Sequence, residues 1–266
     1  MNNRIKLLQV ADSGGGKTSA LASLANSGFF VKILDFDNNT RVIRKFLNEP
    51  SLWDSHISIV SFNLMEDIAD GIGKKSAMPG KLMKILGDKW VDNEGKDHGK
   101  LSSLDENHVI VLDTTTFMGQ GLMRDALWRF RSPSITKGYD PDNVGSFDRS
   151  VYSLAQNKFA TVVKYLCQDP SIRANIVFNA HMKYTEEEGT GITKCYPDTG
   201  CGTALSPSLG KSFTDIWRID TKNDGTKSYR IEGDTRMSLK NSFPFKTDTS
   251  YKFDLGEAFN ALLGRQ

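Results

Sequence analysis

Eight residues near the start, Ala11-Asp12-Ser13-Gly14-Gly15-Gly16-Lys17-Thr18, restrict the possible folds more than any other stretch. An apolar run from Ile5 to Val10 leads in, and a helix-forming run from Ser19 to Asn26 leads out. A strand, a glycine-rich turn and Gly-Lys-Thr at a helix start form the phosphate-binding loop arrangement. Three consecutive glycines let the backbone curl so that successive N–H groups point inward. The helix N-terminus adds partial positive charge. Lys17 is then placed to reach β- and γ-phosphates, and the Thr18 hydroxyl to ligate Mg²⁺. Residues Ala11, Asp12, Ser13, Gly14, Gly15, Gly16, Lys17, Thr18 and Ser19 are the expected nucleotide contacts. The first position of the motif is usually glycine and is Ala11 here. Alanine is small, and Gly14 and Gly15 supply the missing flexibility.

The chain has 266 residues, enough for one large α/β domain. No run of about 18 apolar residues occurs, so no membrane partner is expected. The N-terminal Met1-Asn2-Asn3-Arg4 meets the first strand at once, which predicts no signal peptide. A net charge of +2 says little about nucleic acid, so a basic face would have to be local. Three cysteines, Cys167, Cys195 and Cys201, are an odd number without framework spacing. They predict a reduced, cytoplasmic protein, with Cys195 and Cys201 as free loop thiols near His181 rather than a zinc site.

Taken in order, Ile5–Val10 and Phe29–Phe36 read as strands around a helix that ends at Gly28. Thr40 to Pro50 reads as a helix, and Ile57–Phe62 alternates as a third strand. The span from about 64 to 107 is an irregular, basic insertion. Its helix, Pro79 to Trp90, turns Leu82, Met83, Ile85 and Leu86 inward. Lys74, Lys75, Lys81, Lys84 and Lys89 make either a solvated face or a contact to phosphate backbone. His108–Leu112 is nearly all apolar, as a strand buried on both faces should be. Helices are expected over Met118–Arg131 and Ser146–Gln168, with a loop between them. Ile176–Phe178 is a buried strand ending in Asn179-Ala180-His181, followed by a long polar loop from Lys183 to about Leu209. Asp215–Asp220 and Ser228–Glu232 form a hairpin around Asn223-Asp224-Gly225. A short helix follows Asp254, in a tail that runs from about 241 to 266. No linker divides the chain, so a single domain over 1–266 is expected.

Strands alternating with helices imply a parallel sheet with right-handed crossovers, and ligands at the carboxyl ends of its strands. The polar residues at those ends are the candidates for chemistry. Asp113 follows Val109-Ile110-Val111-Leu112 and is expected to hold Mg²⁺ with Thr18. Asp35 and Asp37 end the second strand. Asp37, beyond the strand tip, is the expected base for activating water. His181 is expected to sense the terminal phosphate and move the segment that follows.

These residues resemble the RecA-like ATPases, in particular the small phage-encoded branch linked to single-strand DNA annealing and recombination. The resemblance covers roughly residues 4 to 240. It rests on Ala11–Thr18, Ile33–Asp37, Val109–Thr114 and Phe178–His181, which occur in the family's order. It implies a RecA-like P-loop NTPase fold, a mostly parallel central sheet flanked by helices with a C-terminal antiparallel hairpin. It also implies ATP with Mg²⁺, hydrolysis stimulated by DNA, and a homo-oligomer, ring or filament. The implied partners are single-stranded DNA and a single-strand DNA-binding protein. The family's activating acid is usually glutamate, where this chain has the shorter Asp37. Two stretches fall where the family's DNA-binding loops fall. The first holds Arg131, Lys137 and Tyr139, and the second holds Lys183, Tyr184, Lys194 and Tyr196, with Glu186-Glu187-Glu188 opposing phosphate. Lys211, in Leu209-Gly210-Lys211-Ser212-Phe213, matches a lysine that reaches a neighbouring subunit's nucleotide.

Two other functions are compatible with the same loop. A P-loop kinase could hold a small acceptor with Asp37 and Arg41, although the 183–209 stretch lacks the arginines of a kinase lid. A nucleotide-gated scaffold for replication proteins would bind ATP with little turnover.

Overall fold

The computed structural model describes residues 4–63, 76–130, 149–187, 189, 191–202, 204–243 and 249–265. Its centre is a sheet in the order β3-β2-β4-β5-β1-β7-β8-β9. The strands are β1 (Lys6–Ala11), β2 (Phe30–Asp35), β3 (Ile57–Ser61), β4 (His108–Asp113), β5 (Asn175–Glu186), β6 (Thr193–Pro197), β7 (Asp215–Thr221), β8 (Lys227–Arg230) and β9 (Ser250–Lys252). Pairing is parallel from β3 through to β7, and antiparallel for β8 and β9. The mostly parallel sheet with a C-terminal antiparallel hairpin is therefore present.

The central strands read as apolar runs because both faces are covered. Leu8, Val10, Leu34, Ile110, Leu112 and Phe178 pack on one side. That side is covered by α3 (Met78–Gly87), α4 (Thr115–Phe130) and α5 (Arg149–Gln168). Leu7, Val31, Ile33, Val109, Val111 and Val177 pack on the other, with α1 (Lys17–Asn26) and α7 (Leu255–Leu262). The tail helix belongs to this core. Asp254 caps it through Glu257 N, and Phe259 meets Phe29 edge-on at 5.9 Å. A Cβ on Gly256 would stand 2.2 Å from Ser23 O, so α7 and α1 touch backbone to backbone.

Several expectations need correction. Thr40–Phe46 is a 3-10 helix, and a separate helix α2 (Ser51–His56) follows Pro50. Met83 is exposed, while Leu82, Ile85 and Leu86 are buried. Lys81 of α3 donates to Ser61 O at 2.7 Å, and Lys89, past the end of that helix, pairs with Asp97 at 2.7 Å. The 183–209 stretch is not a loop. β5 runs on to Glu186 and turns through Gly189 and Gly191, both at positive φ, into β6. A four-residue helix, α6 (Ser206–Leu209), ends the stretch. The hairpin stands off the end of the sheet with much of its surface in solvent, so its strands carry little apolar signal. Cys167, Cys195 and Cys201 are free and buried, and Cys195 lies in β6 rather than in a loop. The stretch holding Arg131, Lys137 and Tyr139 lies outside the described residues, as does Glu188.

Candidate nucleotide site

The loop after β1 has the cradle its sequence demands. Gly14 and Gly16 take φ values of 74° and 98°, which favour glycine. A Cβ on Gly15 would lie 2.7 Å from the Ala11 methyl. Alanine at the first motif position is therefore tolerated because residue 15 has no side chain. Gly16 caps α1 with no side-chain hydrogen bond, so the first-turn N–H groups remain available to an anion. Lys17 is buried, and its Nζ donates to Ala11 O and Asp12 O, each at 3.0 Å. Burial pulls its pKa down to about 8, against the attraction of Asp113, Asp37 and Asp12. A phosphate arriving here would favour the ammonium form and raise that pKa again.

Sheet register builds the rest of the site. Gln9 lies opposite Asn179, Asn179 opposite Asp113, and Asp113 opposite Asp35. In-register neighbours point to the same face, so four polar side chains from β1, β5, β4 and β2 form one row under α1. The Thr18 hydroxyl donates to Asp113 Oδ2 at 2.7 Å, and Asn179 Nδ2 donates to Asp113 Oδ1 at 3.0 Å. Gln9 Nε2 donates to Asn179 Oδ1 at 3.1 Å and to Lys17 O at 3.0 Å. Tyr229 extends the row by donating to Gln9 Oε1 at 3.1 Å. Asp113 is fully buried, and burial raises its pKa to about 6 against these hydrogen bonds.

These groups fit a nucleotide with Mg²⁺. Among the described residues no three His, Cys, Asp or Glu side chains form a protein-only metal cage. Mg²⁺ does not need one, because it takes one or two protein oxygens and completes its shell with phosphate and water. Thr18 and Asp113 supply such oxygens. The buried hydroxyl of Thr114, next in sequence, has no partner among the described residues.

Asp35 and Asp37 stand in different surroundings. Asp35 is buried and occupied, with its carboxylate accepting from Thr40 Oγ1 at 2.8 Å and Asn38 N at 2.9 Å. Asp37 stands past the strand tip, half-buried, and turns the chain by accepting from Asn39 N at 3.1 Å. Burial, then the charges of Asp113 and Asp35, push its pKa up to about 7.

His181 is not at the end of a strand. It is the last residue of β5 opposite β1, pairing with Ala11, and the pairing with β6 begins at Met182. Its Nδ1 is 3.3 Å from Lys17 Nζ, and its ring meets Phe117 edge-on at 6.0 Å. Burial, then the Lys17 charge, lowers its pKa and favours the neutral ring that can accept from the ammonium. Three residues on, the Tyr184 hydroxyl donates to Asp12 Oδ1 at 2.8 Å. β5 thus meets Lys17 through His181, and the hairpin that continues it meets Asp12 through Tyr184.

Lys183 and Tyr196 pair across the hairpin, as do Thr185 and Lys194, so Lys183, Lys194 and Tyr196 share one face. Lys194 also donates to Thr235 O at 3.0 Å and pairs with Glu187 at 4.0 Å. Lys211 is not brought to the phosphate loop of its own chain. It sits in the 3-10 turn Gly210–Ser212, just before β7, whose Asp215 pairs with Leu7 in the first half of β1. There it lines a cavity of about 520 Å³ with Lys194, Arg236 and Lys240.

Sequence reasoning missed Gln9, Asn179 and Tyr229. A glutamine and an asparagine in the middle of apolar strands are a visible signal for the first two, since a buried amide has to be bonded. Nothing in the sequence pointed to Tyr229.

No family model and no curated protein matches the chain. Among solved structures it is similar to the RadB recombinase, at 15% identity over 88% of this chain and 83% of that one, with a TM-score of 0.44. It is also similar to the pCW3 conjugation coupling protein TcpA with ATPγS, at 12% identity over 98% of this chain and 65% of that one, with a TM-score of 0.38. The α/β fold with a phosphate-binding loop stands on the chain's own sheet order and loop geometry.

Proposed function

We propose that this protein is a RecA-like ATPase that acts on single-stranded DNA, coupling ATP binding and hydrolysis to annealing or strand exchange in phage recombination. The observation that carries the ATPase part is the bond from Thr18 to the buried Asp113, made beside Lys17 and within electrostatic reach of Asp37. Metal ligand, phosphate cation and water-activating carboxylate converge at one loop. A bound Mg²⁺ would neutralise charge on the β- and γ-phosphates. Thr18 and Asp113 would hold the metal, Lys17 and the first-turn amides of α1 would hold the phosphates, and Asp37 would orient water and take its proton. His181 passes the position of Lys17 to the β5–β6 hairpin.

The DNA part is supported by the hairpin face carrying Lys183, Lys194 and Tyr196, which combines cations with a stacking ring. Arg131, Lys137 and Tyr139 would add to it. Lys211 acts on a neighbouring subunit's nucleotide, which makes the working form a homo-oligomer. The deciding assay measures ATP hydrolysis with and without single-stranded DNA. Stimulation by DNA is expected, with a loss of at least about 10²-fold in Lys17→Ala. Phosphate transfer to a small acceptor, or tight ATP binding without turnover, would replace this reading with a kinase or a scaffold.

A further inference from the structure

We propose that Lys227 and Phe253 form a second wall of the nucleotide site, taking the base and the phosphate next to it. The inference rests on the nucleotide-binding reading above. Both side chains lie against Gly16, where the phosphate loop becomes α1. A Cβ built there would stand 2.5 Å from Lys227 Nζ and 3.2 Å from the tip of the Phe253 ring. A second cation therefore sits at the helix N-terminus, where an anion is favoured. It comes from the same chain, unlike Lys211.

None of the ion pairs among the described residues includes Lys227. Its Nζ lies 5.7 Å from the centre of the Phe253 ring, a favourable position for a cation.

Phe253 is held in place before any ligand arrives. Its ring stacks on Tyr229 at 5.2 Å, and Tyr229 packs on Trp217 at 5.5 Å. On the other side, Asp254 caps α7, and Leu255 N and Gly256 N donate to Ser23 Oγ of α1 at 2.9 and 3.2 Å. The half-buried ring is thus fixed relative to the start of α1, with part of it left open. A planar ring beside a phosphate cradle suits a nucleobase, because every base offers a π-face. The β8–β9–α7 segment becomes part of the binding site rather than an appendage.

Calorimetric titration of the full chain separates the two ends of the ligand, with ADP and inorganic tripolyphosphate as probes. Phe253→Leu should weaken ADP about tenfold and leave tripolyphosphate within about twofold, since only ADP carries a base. Lys227→Met should weaken both about tenfold, while Phe253→Tyr and Lys227→Arg retain binding. Melting curves of each variant verify folding. ADP affinity unchanged in both Phe253→Leu and Lys227→Met, with wild type binding ADP, overturns the proposal and leaves the nucleotide reading standing. Equal loss of ADP and tripolyphosphate in a folded Phe253→Leu also overturns it. A wild-type chain that binds neither probe removes both readings.

Discussion

Consider the substitution Asn179→Ala. Asn179 is fully buried, and its amide bridges two neighbours, donating to Asp113 Oδ1 at 3.0 Å and accepting from Gln9 Nε2 at 3.1 Å. Asp113 Oδ2 is already taken by Thr18. The truncation therefore strands one oxygen of a buried carboxylate and leaves Gln9 Nε2 with Lys17 O as its remaining acceptor. A hydrogen bond to a charged group contributes about 1.5–3 kcal/mol, and an amide–amide bond about 1 kcal/mol. The expected loss is roughly 3 kcal/mol, a large share of the ~5–15 kcal/mol that holds a domain together. Urea unfolding followed by far-UV circular dichroism at pH 8, where Asp113 is ionised, measures it. The same truncation in an Asp113→Asn background isolates the cause. An amide at 113 can donate to the Thr18 hydroxyl and accept from Asn179, so that background is satisfied but uncharged. There the cost of Asn179→Ala should fall by about 1–2 kcal/mol, the coupling of the charged pair. A loss under about 1 kcal/mol in wild type, or equal losses in both backgrounds, would refute the reasoning that Asn179 stabilises the buried Asp113 carboxylate.

Other consequences follow from the same geometry. Hydrolysis should rise with pH through about 7, where Asp37 loses its proton. Asp37→Asn should be roughly 10²-fold slower, with that pH step gone, and a pH–rate profile checks both. For stability the sign is opposite. The folded-state pKa of Asp37 lies above its ordinary value of 3.8, so its contribution is full at low pH and is lost as pH rises through about 7. The ligand-free wild type should therefore lose more stability than Asp37→Asn between pH 5.5 and pH 8 in urea titrations. Gly15→Ala would press a methyl to 2.7 Å from that of Ala11 and should weaken ADP binding about tenfold. Adding Ala11→Gly should restore it, and failure of this rescue would show that the two positions do not share the space.

Local patterns reported most elements because each expresses one physical constraint. The run His108–Leu112 is apolar since β4 is covered on both faces, and Gly28 takes φ 84° where α1 ends. Asn223-Asp224-Gly225 turns β7 into β8 with Gly225 also at φ 84°. Local patterns failed where structure depends on a partner distant in sequence. The β5–β6 hairpin is polar, and its pairing rather than its hydrophobicity makes it a strand. Lys183 and Lys194 are eleven positions apart in the chain and share a face only through that pairing.

The amino-acid sequence by itself determined the phosphate loop, the parallel α/β architecture and the acids Asp37 and Asp113. Each of these depends on neighbours within a few residues: glycines that permit a turn, a strand that ends, a helix that begins. Tertiary structure decided what those acids touch. Gln9, Asn179, Asp113 and Asp35 come from four separate strands, and only the register of β1, β5, β4 and β2 aligns them. The same holds for Lys227 and Phe253, more than 200 residues from the loop they meet at Gly16. Register and docking arise from burying whole faces of strands and helices, a collective free energy that no short stretch of sequence contains.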